Sequence, residues 1–135
     1  MADVPLCQET GKPMKRDVRP MKISYKDQSV TIEMPGWYCL ESGESIHTGD
    51  DMKVSDEALK ALKIKVENLL PPEEVRRIRK KIGLTQREAG TIIGGGPNAF
   101  QKYEGGTTLV SRAISNFLRV LERHPEEIDE LKKRA

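Results

Sequence analysis

The sequence predicts an α+β protein: a small N-terminal hairpin or three-stranded sheet with a helix, followed by an all-α five-helix domain built on a helix-turn-helix. Three observations carry this. Residues 21–34 hold two short runs that alternate apolar and polar, the period of half-buried strands. From residue 72 onward the apolar residues recur at helical spacing instead. Between Leu84 and Gly106, two short helical patterns flank three consecutive glycines, Gly94, Gly95 and Gly96. Pro71-Pro72 separates the halves, because neither proline continues a helix interior, so the expected domains are residues 1–70 and 71–135.

In the first half, residues 1–20 read as loop, broken by Pro5, Gly11, Pro13 and Pro20. Met21–Tyr25 and Ser29–Met34 read as paired strands, with Val30, Ile32 and Met34 on one face and Lys26-Asp27-Gln28 as the hairpin loop. Pro35-Gly36 is expected to turn the chain into a third strand, Trp37–Leu40. A sheet this small is marginal alone. Ser55 is the expected N-cap of a helix starting Asp56-Glu57. Its stripe of Leu59, Leu62, Val66 and Leu69 is expected to pack on the hairpin.

The two cysteines sit in a repeated pattern. Cys7-Gln8-Glu9-Thr10-Gly11 and Cys39-Leu40-Glu41-Ser42-Gly43 each look like a C-x-x-C-G zinc knuckle whose second cysteine has become a hydroxyl residue. An intact pair supplies four thiolates to tetrahedral zinc. Hydroxyls do not ionise near neutral pH, and the spacing of His47 fits no standard site. The expectation is a vestigial knuckle pair, Cys7, Thr10, Cys39 and Ser42, with no bound metal and no other cofactor. Thr10 and Ser42 are expected to hydrogen-bond to the loop backbone.

In the second half, Pro72, Glu73 and Glu74 suit a first helical turn. Val75, Ile78 and Ile82 line the inner face of that helix, while Arg76, Arg77, Arg79, Lys80 and Lys81 crowd the rest and are expected to give some phosphate contact. Thr85 and Glu88 form a capping box for the first motif helix, whose Ala89, Ile92 and Ile93 share a face. The glycines form the turn, and Pro97 takes the first position of the next helix. There Ala99, Phe100 and Tyr103 point one way and Asn98, Gln101 and Lys102 the other. A helix entering the major groove reads bases with such residues: asparagine pairs with adenine, and lysine reaches guanine acceptors. Ser111–Arg123 carries a broad apolar band, Val110, Ala113, Ile114, Phe117, Leu118 and Leu121, wide enough for a second subunit. Pro125-Glu126-Glu127 opens a last short helix.

Charge separates the halves. The chain carries +2 overall. Residues 1–70 hold 10 basic and 12 acidic residues, and residues 71–135 hold 13 and 9. The half with the helix-turn-helix is thus the basic one, as phosphate binding requires. No apolar run approaches a membrane span, and MADVPLCQET lacks the regions of a signal peptide, so a cytoplasmic location is expected. Two distant cysteines do not suggest a disulfide scaffold. Enzymatic function is not expected: His47 and His124 are the only histidines, no nucleophile motif is present, and Gly94–Gly96 lacks the lysine of a phosphate loop.

Leu84-Thr85-Gln86, Ala89 and Tyr103-Glu104-x-Gly106 resemble the phage-repressor type of helix-turn-helix. More narrowly, GGGPNAFQKYEGG followed by AISNFLRVLERHPE resembles the C-terminal domain of MqsA-type antitoxins, and the order knuckle, hairpin, knuckle, helix agrees over nearly the whole chain. The resemblance implies a type II toxin–antitoxin pair. The N-terminal zinc domain would inhibit a small ribonuclease toxin. The C-terminal domain would dimerise, bind palindromic operator DNA and repress its own operon. It also implies base reading by Asn98 and Lys102, and a phosphate contact by Gln86. Lys102 stands where one member of the family has arginine, a point charge in place of a planar fork. The candidate DNA-binding residues are thus Thr85, Gln86, Asn98, Gln101 and Lys102. A stand-alone transcriptional regulator, sensing through Cys7 and Cys39, is the alternative.

Overall fold

The computed structural model describes residues 3–135, and they form an α+β structure. The chain divides into two compact units, Met1–Lys63 and Ile64–Ala135. The division falls in the last turns of a long helix, upstream of Pro71-Pro72.

The first unit is an antiparallel sheet in the order β1-β2-β3, with β1 Lys15–Tyr25, β2 Gln28–Tyr38 and β3 Ser45–Ile46. The hairpin is tighter and longer than the sequence predicts. Tyr25 pairs with Gln28 across a loop of only Lys26 and Asp27, with Lys26 at φ 54°. Residues 15–20 extend β1 and are not loop. Pro20 is tolerated because β1 is an edge strand, where a missing N–H facing away from the ladder costs no bond. Pro35-Gly36 does not turn the chain: Pro35 pairs with Val18 and Gly36 with Asp17 inside β2, and Trp37 and Tyr38 finish that strand. Gly36 has another purpose. A Cβ there would lie 2.5 Å from His47 Nδ1, and His47 uses that closeness to reach the Pro35 carbonyl at 2.8 Å. The third strand is Ser45–Ile46, antiparallel to the end of β2.

Helix α1 spans Gly49–Glu67, so it starts well before Ser55. The cap is Thr48. Its Oγ1 accepts from the Asp51 N–H (3.3 Å), while Asp51 Oδ2 accepts from the Thr48 N–H (2.9 Å). Ser55 is buried inside the helix, donating to the Met52 carbonyl. Leu62 is buried and Leu59 and Val66 half-buried, but Leu69 lies beyond the helix and joins the core of the second unit.

Polar and aromatic contacts hold much of the first unit. Arg16 makes a bidentate pair with the buried Asp51 (2.8 and 2.9 Å) and lies 5.4 Å from the Trp37 ring. Arg19 stacks over Tyr38 at 4.5 Å, and Lys63 lies 5.6 Å from the Tyr25 ring. Tyr38 donates to the Met34 carbonyl (2.7 Å).

The second unit holds α2 Pro72–Lys81, α3 Gln86–Ile92, α4 Ala99–Glu104, α5 Arg112–Arg123 and α6 Ile128–Arg134, the last entered through a 3₁₀ turn at Pro125–Glu127. One continuous core joins them: Leu70, Val75, Ile78, Leu84, Ala89, Phe100, Val110, Leu118, Leu121 and Ile128. Burying a side chain of this size stabilises by roughly 1.5–3 kcal/mol. Ser115, also fully buried, accepts from the Leu70 N–H (3.1 Å) and fixes the entry to the domain. The α5 band is only partly used. Leu118 and Leu121 are buried, Ile114 and Phe117 half-buried, and Ala113 is exposed. Val120 is 53% exposed. Ala113, Phe117 and Val120, at i, i+4 and i+7, share a side of α5 on which Phe117 is half-buried against the core while Ala113 and Val120 stay exposed. Among the described residues, no helix is long and apolar enough to cross a membrane.

Candidate nucleic-acid interface and paired knuckles

The helix-turn-helix is α3, a glycine corner and α4. Thr85 caps α3 as the sequence predicts: its Oγ1 accepts from the Glu88 N–H (3.1 Å) and the Glu88 carboxylate accepts from the Thr85 N–H (3.0 Å). Gly94, Gly95 and Gly96 all adopt positive φ, at 132°, 97° and 95°, which residues with side chains resist. Gly90 matters as much. A Cβ on it would lie 1.8 Å from the Gly96 carbonyl, so only glycine lets the corner fold back onto α3, where the Gly96 N–H donates to the Gly90 carbonyl (3.1 Å).

Beyond the corner, α4 begins at Ala99, two residues later than the Pro97 start expected. Asn98 stays at φ −102°, ψ −1° and makes no side-chain capping bond, so its amide is not spent on the helix start. Phe100 is fully buried, in edge contact with the Tyr103 ring at 5.4 Å. Asn98, Gln101 and Lys102 are exposed on the other side. Two shallow depressions, one lined by Gly95, Pro97, Asn98 and Thr108, the other by Gln101, Gly105 and Thr107, meet at Asn98 and Lys102. Thr85 is exposed and Gln86 half-buried at the start of α3.

The basic cluster of α2 is not the free surface its sequence suggests. Arg79 is buried. Its guanidinium donates to both oxygens of Glu104 (2.8 and 2.9 Å) and to the Leu84 carbonyl (2.9 Å). Arg77 pairs with Glu74 (2.8 Å) and with Glu122, which Lys81 also approaches at 3.4 Å. Of the five expected phosphate-facing residues, Arg79 is therefore withdrawn into the unit, Arg77 and Lys81 share carboxylate partners at the surface, and Arg76, Arg77, Lys80 and Lys81 stay exposed. The Arg79–Glu104 pair has a use that periodicity could not reveal: it clamps the last residue of α4 to α2, aiming the short helix.

In the first unit the knuckles repeat each other closely. The Cys7 N–H donates to the Lys12 carbonyl and the Gly11 N–H back to Cys7; the Cys39 N–H donates to Glu44 and the Gly43 N–H back to Cys39. Thr10 Oγ1 accepts from the Lys12 N–H (3.3 Å), and Ser42 Oγ from the Glu44 N–H (3.2 Å). The loops then cross-link. Cys7 Sγ lies 3.4 Å from Ser42 Oγ, and Cys39 Sγ lies 3.7 Å from Thr10 Oγ1. Both thiols are buried, with Met14 and Trp37 beside them. Hydrogen bonds from the Ser42 side chain and amide, and from Cys7, draw the Cys39 thiol down from its usual range to about 6. The donor set is two thiols and two hydroxyls, which does not fit a structural zinc centre of four cysteine or histidine ligands. His47 is not a spare ligand: Nδ1 meets the Pro35 carbonyl and Nε2 the Ser45 hydroxyl (3.0 Å).

A glycine-cornered helix-turn-helix unit preceded by a two-knuckle β unit defines a helix-turn-helix protein of the knuckle-bearing kind. Comparison with known proteins narrows this. Residues 3–132 match the family described as the antitoxin component of the bacterial toxin–antitoxin system, MqsA. The chain is also 32% identical over 130 residues to antitoxin MqsA of Escherichia coli (strain K12), covering 95% of this chain and 98% of the relative. The chain belongs to the MqsA antitoxin family.

Proposed function

We propose that this antitoxin represses its own operon by binding palindromic operator DNA as a dimer through residues 71–135, and that residues 1–70 neutralise a small ribonuclease toxin. One observation carries the DNA reading: Asn98, Gln101 and Lys102 stand exposed on α4 while Phe100 anchors the opposite side. An amide and an ammonium group so presented match the acceptor and donor pattern of the major groove. Gln86 and Thr85, at the start of α3, take phosphate positions, and Lys102 reads a guanine acceptor as a point charge.

Six residues of α4 cover few base pairs, so useful affinity needs two copies. The half-exposed Phe117 and exposed Val120 on α5 offer the apolar surface for a two-fold contact. Chemistry is not assigned to the protein; it acts by binding. Family membership favours the antitoxin over a stand-alone regulator.

The test is a footprint of the full chain on DNA upstream of its own gene. Two protected half-sites related by a dyad, about one helical turn (10–10.5 bp) apart, are expected. A single protected block without dyad symmetry, or none, would overturn the dimeric reading.

A further inference from the structure

We propose that the paired knuckles are locked by hydrogen bonds in place of a metal, so that the first unit folds without zinc yet lies two substitutions from a zinc site. A metal in such a module has two tasks. It satisfies the polar groups of each loop, and it ties one loop to the other.

Here both tasks are already filled by side chains of this chain. Within each loop, the cysteine amide, the glycine amide and the hydroxyl at the lost cysteine position close the same three-bond pattern. Between loops, the two thiol–hydroxyl contacts run crosswise, Cys7 to Ser42 and Thr10 to Cys39, over sequence separations of 35 and 29 residues. Within the second loop the Ser42 N–H donates to Cys39 Sγ (3.4 Å). No third ionisable ligand is at hand. His47 is engaged with Pro35 and Ser45, and Glu41 with Lys12. Among the described residues, no group of three His, Cys, Asp or Glu side chains assembles anywhere. A divalent cation held by two thiolates and two neutral hydroxyls lacks the soft, charged shell that structural zinc takes. Yet Thr10 and Ser42 occupy the knuckle positions, so restoring their sulfurs restores the shell.

The experiment uses the full chain purified from zinc-supplemented medium. Zinc content is measured, and thermal unfolding is followed by fluorescence of Trp37, the single tryptophan, with and without a chelator. The wild type is expected to carry far less than stoichiometric zinc and to unfold at the same midpoint in both conditions. The double variant Thr10→Cys, Ser42→Cys is expected to take up stoichiometric zinc and to lose midpoint on chelation. Ser42→Ala, which removes the Cys7 contact and the hydroxyl that accepts from the Glu44 N–H, is expected to drop the midpoint by about 4–8 °C with zinc or chelator present alike. Stoichiometric zinc in the wild type, lost with the Trp37 transition on chelation, would overturn the proposal. So would an Ser42→Ala midpoint equal to that of the wild type, or a double variant that ignores zinc. None of these readouts involves DNA or a toxin, so the result stands apart from the operator-binding reading.

Discussion

The two units solve the same problem with different materials. The helical unit is a continuous apolar core crossed by one buried ion pair, Arg79 with Glu104. The β unit has few buried apolar residues, and it adds Arg16 on Asp51, Arg19 on Tyr38, His47 on Pro35 and the thiol–hydroxyl contacts of the knuckles. A small sheet cannot bury enough surface to stand on burial alone. Its stability therefore rests on specific polar partners, each of which fails if one member changes.

The contrast predicts a hierarchy of damage. The largest effect is expected from Glu104→Ala. It leaves the Arg79 guanidinium buried without its counter-charge, a loss of about 3–5 kcal/mol. Denaturant unfolding of the full chain should show the far-UV circular dichroism transition, dominated by the helices, moving much more than the Trp37 fluorescence transition. Equal movement of both would blur the distinction between the units.

A smaller and pH-dependent effect is expected from Asp51→Asn. The Arg16 guanidinium first, then the Thr48 amide, hold the Asp51 carboxyl well below the usual carboxylate range. A folded-state pKa below the unfolded one gives stability that is fully present above the ordinary value of about 4 and lost as pH falls below it. The wild-type Trp37 transition should therefore weaken with acidification below about pH 4, where the Asp51→Asn transition, lower at neutral pH, should change less. Parallel acid limbs for the two proteins would remove Asp51 from the account.

The same contrast governs what could be read in advance. The helix-turn-helix was legible because apolar spacing, a capping box and glycine chemistry agree there: Ala89 and Phe100 are buried and Thr85 caps with Glu88. In the β unit, local signals compete with distant partners. Pro35-Gly36 looks like a turn, but pairing with Val18 and Asp17 of β1 and the approach of His47 keep it in β2. Ser55 looks like a cap, but Thr48 with Asp51 three residues on starts the helix earlier, a signal that was present in the sequence. Arg79 looks like one more surface charge among five. Only a partner 25 residues away distinguishes it, and no periodicity encodes that. Of the candidate site, the exposed trio on α4 followed from helical spacing, whereas the clamp that aims it did not.

The central claim is that the outer side of α4 reads sequence. It is tested most directly by the affinity of wild type and Asn98→Ala for the operator and for a random duplex at one salt concentration. Loss of about 1–3 kcal/mol on the operator alone, with random-duplex binding unchanged, is the predicted result. Equal loss on both duplexes, or none on either, would contradict it.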